Sequence, residues 1–408
     1  MQSIIHSSIS ASDPAVAVRS SARRVRLADI VLPALFLAVI GLVLACTDWT
    51  GRSDSVSRLE MRPPAPMPAL PHSLSALAAY PEKFGAFFAD HFGLRRQMIA
   101  LRSRIALKLL RKSTSPVVVV GSGGWLFYSG DRSIENYLRQ APFSTAELDE
   151  WATRLHEREA WFAARGIAYL FVVAPDKQTV YPEYMPRSLE PGPGAARLDQ
   201  LVARLAGGRA ENIASGADAI SAGGDALLDL RATLVNAKRD GQLYFMRDSH
   251  WNDRGAYRAY RAIVRRLSLP ALPRDARTLG RYTLSPDLAR LSGANETDTD
   301  TTLITRCAVP APAALEAGVF DRGHPGRYPT GAYDIPPTVC PRGRARLVMF
   351  HDSFADALAP YLSETFARAV YVRRQPTFAQ TQQMVAAEHP TVVIEERVER
   401  QLIEPLLP

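Results

Sequence analysis

The sequence predicts an α/β protein built on a parallel sheet with helices on both faces, preceded by an N-terminal transmembrane helix. Three observations carry that expectation. From Val117 onward, short apolar runs of strand length alternate with segments of helical period, the pattern of a buried parallel sheet. Residues 30–46 read IVLPALFLAVIGLVLAC, without a charge, and follow a cluster of arginines. The 408 residues, 47% hydrophobic and 22% charged, have the composition of a globular chain long enough to bury a large core.

The apolar stretch lies at the lower end of the roughly 17 to 25 residues that a spanning helix needs, and Leu27 and Ala28 can extend it. Arg19, Arg23, Arg24 and Arg26 precede it, so the positive-inside rule keeps the N-terminus cytoplasmic and exports the rest. This gives a cytoplasmic tail over 1–29, a transmembrane signal-anchor over 30–46, a periplasmic spacer with helices over 47–115, and the α/β domain over 116–408. The expected location is the bacterial inner membrane, with the α/β domain periplasmic. A cleaved signal peptide is an alternative, against which the 29-residue leader counts. A lipoprotein site at Val43-Leu44-Ala45-Cys46 is another, and Leu44 fits that pattern poorly.

The net charge of +8 comes largely from arginine, since lysine occurs only at positions 83, 108, 112, 177 and 238. No segment carries the dense basic run of a nucleic-acid arm, which argues against nucleic acid as partner. With Cys46 in the membrane segment, Cys307 and Cys340 are the one pair available for a disulfide in an oxidising compartment, the alternative being two buried thiols.

Along the chain, the Pro-rich residues 62–71 suit an extended spacer, and Phe84 to Leu110 has the periodicity of one or two helices. Strands are expected at Val117–Val120, Ile167–Ala174, Gln242–Met246, Leu347–Phe350, Ala369–Val372 and Thr391–Glu395. Ser144 and Glu147 form a capping box for a helix with an apolar face at Leu148, Trp151, Leu155 and Phe162, stopped by Gly166. Asn252 or Asp253 caps another, facing inward through Ala256, Tyr260, Ile263, Val264 and Leu267. Residues 291–344 break the rhythm and are too long for a bare loop, so they read as an insertion near the site.

Ligands of open α/β sheets sit beyond the carboxyl ends of the strands, and two segments place unusual polar residues there: Arg247-Asp248-Ser249-His250-Trp251-Asn252 and His351-Asp352-Ser353-Phe354. A serine hydroxyl needs a base, and the base needs a group that fixes its tautomer. Ser353 is the candidate nucleophile, His250 the base and Asp248 its orienter; on extended backbone, residues two apart project to one face. Ser353 falls at a strand-to-helix turn, where its N–H and those of its neighbours can face an oxyanion. The plainer readings are a surface turn at Asp248–His250 and a helix cap at Asp352-Ser353. A zinc site of Asp248, His250 and His351 lacks a further ligand at a diagnostic spacing, so no metal and no cofactor is expected.

The motifs DHFGLR (90–95), VGSGGWLFYSGD (120–131), APDKQTVYPE (174–183), RDSHWNDRGAY (247–257), SPDLARL (285–291), HDSF (351–354) and VVIEERVER (392–400) resemble, in order and spacing, the alginate O-acetyltransferase AlgX/AlgJ family of the SGNH hydrolase superfamily. The resemblance implies an SGNH hydrolase-like three-layer sandwich and an anchored, AlgJ-like arrangement. It also implies transfer of acetyl groups to hydroxyls of an exported polysaccharide, with a multi-spanning membrane O-acyltransferase as acetyl donor. Carried onto this sequence, Ser353 would be acylated, with His250 as base and Asp248 as orienter. Asn295 is a speculative oxyanion donor. His351 departs from the Gly usual before such an Asp-Ser, and no carbohydrate-binding module is expected after the last strand. Trp251, Lys177 and Arg254 are candidate substrate contacts, Trp251 by stacking on a sugar, Lys177 and Arg254 by holding a carboxylate or carbonyl. Arg247 is a weaker candidate of the same kind, and Trp125 and Tyr128 are expected mainly in the core. An acetylesterase with the same triad and a non-catalytic polysaccharide-binding scaffold are the competing functions.

Overall fold

The computed structural model describes residues 27–51, 63–214, 226–274, 279–294, 296–307 and 335–408. It divides into two compact units, 1–96 and 97–408.

In the first unit, helix α1 (Leu27–Ala45) carries no charge beyond Asp29, and Leu32, Phe36 and Leu37 are exposed. Nineteen residues rise about 28 Å, just under a hydrocarbon core of about 30 Å. Among the described residues no helix is long and apolar enough to cross a membrane. The end of α1 is fixed within its unit, because Thr47 Oγ1 accepts the Gly93 N–H at 3.0 Å and the Asp48 N–H reaches the His91 carbonyl. The Pro-rich stretch is irregular from residue 63 and is pinned where the Ala65 N–H donates to Asp90 Oδ2 at 2.9 Å. The periodicity at 84–110 resolves into two helices. The first, α2 (Leu74–His91), ends before Leu94, which has φ +63°; the second, α3 (Arg95–Lys108), runs on into the second unit.

In the second unit, β1 (Val118–Val120) and β2 (Leu126–Tyr128) form an antiparallel hairpin turned by Gly123 and Gly124, both at positive φ. The main sheet contains β3 (Ala168–Ala174), β4 (Leu227–Asp229), β7 (Thr338–Val339), β8 (Arg346–Phe350), β9 (Arg368–Val372) and β10 (Val392–Val398). Its order is β4-β3-β10-β8-β9-β7, parallel throughout except for the short antiparallel edge strand β7, so the sheet is mixed. A second hairpin, β5 (Leu279–Leu284) with β6 (Asp298–Leu303), stands outside it.

Period-2 alternation sends successive strand residues to opposite cores. Leu170, Val172, Met349, Tyr371 and Ile394 face one, while Phe171, Val173, Val348, Val370 and Val393 face the other. The second core is covered by α4 (Thr145–Ala163) and α5 (Arg197–Ala214) through Trp151, Leu155, Phe162, Leu198 and Leu201. The first is covered by α6 (Asp253–Arg266) through Ala256, Tyr260, Ile263 and Val264. The three-layer α/β sandwich is therefore present. Both capping expectations are met: Ser144 and Glu147 form a reciprocal box, and Asn252 Oδ1 accepts the Gly255 N–H at 3.0 Å.

Two strand expectations need correction. Val117–Val120 joins the outer hairpin instead of the sheet, because its partner is the adjacent Leu126–Tyr128. Gln242–Met246 forms no strand; it makes a single bridge, Tyr244 to Trp251, because the chain turns sharply at 246–250 to bring polar groups together. The segment that breaks the rhythm is also structurally tied to what precedes it, since β5 lies before residue 291 and pairs with β6 beyond it.

Cys307 and Cys340 form a disulfide spanning 33 residues of sequence. Closing a loop of that size is worth about 2–4 kcal/mol in the chain-entropy account. Cys340→Ser should lower the unfolding free energy by that amount in urea titration under non-reducing conditions, and unchanged stability would contradict a stabilising bridge.

Candidate active site

The nucleophile segment follows β8. His351 continues the ladder, its N–H donating to Val372 O at 3.0 Å, and its ring is buried with Nδ1 2.7 Å from the Asp352 carbonyl. This accommodates a histidine where glycine is usual. Asp352 then caps a 3₁₀ turn, Ser353–Ala357, by accepting the Phe354 N–H at 2.8 Å, and its other oxygen accepts the Val398 N–H of β10 at 2.7 Å. The carboxylate thus ties the nucleophile turn to the central strand. Because the Phe354 N–H is already engaged, an oxyanion would be met by the Ser353 N–H alone of these two.

The base segment is set by an Asp turn rather than by strand alternation, which corrects the extended-chain argument. Asp248 Oδ1 accepts both the His250 N–H, at 2.9 Å, and the ring, with Nδ1 at 2.7 Å. A carboxylate that bonds the backbone two residues on is the geometry of an Asx turn. The opposite ring nitrogen, Nε2, lies 2.7 Å from Ser353 Oγ. The serine, the imidazole and the carboxylate therefore stand in one hydrogen-bonded line, with the His250 side chain 28% exposed and so open to a ligand.

Asp287, in the SPDLARL motif, completes the base segment, a role that sequence reasoning misses. Its N–H donates to Asp248 Oδ2 at 2.7 Å, and its carboxylate accepts the Ser249 N–H at 2.7 Å and the Ser249 hydroxyl. A polar residue directly opening a short helix is the one signal the sequence offers for it. Burial alone would raise the Asp248 pKa, but the hydrogen bond and charge of His250, with N–H donors from Asp287 and His250, bring it down to about 2. Burial pulls the His250 pKa down, and the bond to Asp248 and its charge outweigh this, so the imidazole stands above its ordinary value. Asp287 is pushed up by burial and by the neighbouring Asp248 charge.

Asp248, His250 and Asp287 bring ligand atoms within 4.8 Å of one another. Each carboxylate oxygen already accepts an N–H or O–H, and Nε2 faces the serine, so this donor set is committed to the hydrogen-bonded line. His351, weighed as a metal ligand from sequence, is buried at the end of β8 with its ring turned to its own loop.

A cavity of about 360 Å³ opens over Ser353 and His250, walled by Tyr282, Leu284, Thr301 and Thr302 of the β5–β6 hairpin. Asp253 docks that hairpin: its N–H donates to Asp300 Oδ2 at 2.7 Å, and Thr301 Oγ1 donates to its carboxylate. Burial and the nearby Asp300 push the Tyr282 hydroxyl up to about 12, so it stays a neutral donor. Asn295, the speculative oxyanion donor, lies outside the described residues.

Of the three expected substrate contacts, Trp251 borders this cavity, whereas Lys177 and Arg254 do not line it. Trp251 is 1% exposed and donates its indole N–H to the Phe354 carbonyl at 3.0 Å, its ring edge-on to Phe354, so it braces the nucleophile turn. Lys177 is 2% exposed and donates to backbone carbonyls, because it sits under the loop that bears Asp248 and His250. Arg254 points along the surface to the Asp240 carbonyl. Arg247 pairs with Glu296. Trp125 stacks on Tyr184 in the core as expected, and Tyr128 is half-buried at the end of its hairpin.

Comparison with known proteins bears on the family this geometry belongs to. Residues 118–302 match the family model described as SGNH hydrolase-like domain, acetyltransferase AlgX. That stretch of the chain is similar to the AlgX family. A curated relative, the "Probable alginate O-acetylase AlgJ" of Pseudomonas aeruginosa, is 30% identical over 175 residues. The match takes in 42% of this chain but only 38% of that protein's length. Among solved structures, Bacillus cereus PatB1 aligns at 14% identity and TM-score 0.41, covering 70% of this chain and 97% of that one. The O-acetyltransferase domain of Pseudomonas putida AlgJ aligns at 17% identity and TM-score 0.35, covering 70% and 92%. Pseudomonas aeruginosa AlgX aligns at 14% and 0.42, covering 70% and 66%. The family match places this domain among acetyltransferase-like SGNH folds and assigns no role to individual residues.

The His250 ring is the direct test of the electrostatics. In an NMR titration of the full chain, its pKa should lie above the ordinary value of about 6.5. Asp248→Asn removes the anion that favours the imidazolium and should lower that pKa by about one unit or more. A titration insensitive to this substitution would contradict the assigned contact.

Proposed function

We propose that the chain is an O-acetyltransferase that passes an acetyl group through an acetyl-Ser353 intermediate to hydroxyls of an exported polysaccharide. The single observation that carries this is the line from Asp248 through His250 to Ser353, with 2.7 Å at each ring nitrogen. His250 Nε2 takes the Ser353 proton as Oγ attacks the acyl carbonyl, the Ser353 N–H faces the oxyanion, and the imidazolium returns its proton to the leaving group. In the second half the same imidazole deprotonates the acceptor hydroxyl, which attacks the acetyl-serine and frees Oγ. Asp248, held ionised, stabilises the imidazolium in both halves.

The choice of a sugar hydroxyl as acceptor is supported by the hydroxyl-bearing wall of Tyr282, Thr301 and Thr302 and by the probable alginate O-acetylase among the relatives. The location belongs to the same proposal: residues 30–46, preceded by arginines, tether the domain on the periplasmic face of the bacterial inner membrane. A multi-spanning membrane O-acyltransferase supplies the acetyl group from the cytoplasmic side.

The test is acetyl content of the exported polysaccharide in cells lacking the gene, complemented with wild type or with Ser353→Ala at equal expression. Loss of a nucleophile typically costs about 10³–10⁶ in rate. Ser353→Ala should therefore leave acetylation at the level of the null strain. Wild-type acetylation by the variant would overturn the mechanism, and a null strain with more acetyl groups than wild type would identify an esterase.

A further inference from the structure

Lys177 has no part in the mechanism above, yet its ammonium is buried directly beneath the catalytic loop. It follows β3 in the APDK turn and is 2% exposed. One nitrogen donates to three carbonyls of one loop: Phe245 at 3.1 Å, Met246 at 3.2 Å and Asp248 at 2.6 Å. An ammonium has three donors and no acceptor, so this set uses its full capacity. The loop bears no ladder bonds beyond the Tyr244–Trp251 bridge, so its curl rests on such side-chain bonds together with backbone bonds from the N–H groups of Leu126 and Ala289.

We propose that Lys177 is a positioning residue for acyl transfer: by gathering these three carbonyls it fixes the backbone of Asp248 and holds the carboxylate on His250 Nδ1. This rests on the Ser353–His250–Asp248 reading and deepens it. The third bond is to the carbonyl of Asp248 itself, so displacement of the ammonium moves the Cα from which the carboxylate hangs. The floor of the loop is fixed independently, with the rings of Trp125 and Phe127 lying 5.6 and 5.2 Å from Nζ and the Leu126 N–H bonded to Met246 O at 2.8 Å.

The charged groups around Lys177 are the carboxylates of Asp248 and Asp287. Both favour the ammonium, whereas burial among apolar rings opposes it and leaves its pKa at about 7. Above that pH the neutral amine keeps two of its three donors. The adjacent Asp176 is committed to Arg400, at 2.6 Å, and accordingly does not neutralise Lys177. Replacement by an apolar side chain removes every donor, along with the positive charge facing Asp248 and Asp287.

The experiment follows burst acylation of Ser353 in the full chain with p-nitrophenyl acetate across pH. In that step an Oγ–acyl bond forms, the nitrophenyl ester bond breaks, and the serine proton passes to His250. Wild type should show an acid limb set by the raised His250 pKa, leading to a plateau on which Lys177, as the neutral amine, still holds the loop through its two remaining donors. Lys177→Met should lower the plateau by about 100-fold, leave KM within about threefold because Lys177 does not line the cavity, and move the acid limb down by about one pH unit as Asp248 leaves the ring. A packing role alone would lower Tm and leave the limb in place, and that result overturns the proposal.

Lys177→Gln is the second variant, with a shorter, uncharged arm that cannot reach all three carbonyls. It should lose at least about tenfold and show the same shift, and a wild-type plateau and limb in Lys177→Gln overturns the proposal even where Lys177→Met does not fold. Failure of the underlying reading is distinguishable, because Ser353→Ala would then show a wild-type burst.

Discussion

The arrangement around Ser353 depends on one imidazole making two opposed hydrogen bonds. Asp248 reaches His250 from two residues away and Ser353 from 103, and neither segment is itself part of the sheet ladder at the point of contact. A net hydrogen bond is worth only about 1 kcal/mol, so the line would not hold two mobile loops in place. It is maintained because the two loops are bound to the sheet and to each other through groups that would otherwise be buried without partners, at a cost of about 1–3 kcal/mol each. Asp352 bonds to β10, Asp287 bonds to both ends of the Asp248–Ser249 turn, and Trp251 bridges directly from the base segment to Phe354.

The central strand shows how the sheet serves this purpose. β10 carries Glu395, Glu396 and Arg397 in full burial, and β8 pairs with it only as far as Glu395. Beyond that point β10 runs on beside β3 alone, where polar groups of the site replace the neighbouring strand. Alternation sends Glu395 and Arg397 toward α4, where Glu395 pairs with Arg158 and Arg397 lies over Trp151, while Glu396 turns to the nucleophile side and accepts the Asp352 N–H. Burial and the Asp352 charge raise the Glu396 pKa well above the ordinary carboxyl value. Such buried pairs are weak sources of net stability, but removal of one partner typically costs about 3–5 kcal/mol. A charged centre in an otherwise apolar sheet is therefore explained by the conformation it specifies at the carboxyl ends of the strands.

The sheet is legible in the sequence because its strands are short apolar runs bounded by caps, and the helices because their periodicity and capping boxes are local. Ser353, His250 and Asp248 are legible because they follow buried strands or apolar runs and the chemistry requires that trio. The Gln242–Met246 run misleads because an apolar composition is compatible with a strand, whereas its residues pack as a turn held from below by Lys177. Side-chain chemistry alone puts Lys177, Trp251 and Arg254 at the substrate. Their burial and partners depend on neighbours 14 to 103 residues away, which local pattern does not encode. Asp287 escapes the sequence for the same reason: its role is defined by a turn 38 residues upstream.

The most direct measurement is mass spectrometry of the full chain, quenched in acid during reaction with an acetyl ester. The account predicts one added acetyl group on the peptide that contains Ser353, accumulating in wild type and absent in His250→Ala. Turnover of the ester with no acetyl group on that peptide, or acetylation that persists without the imidazole, would contradict it.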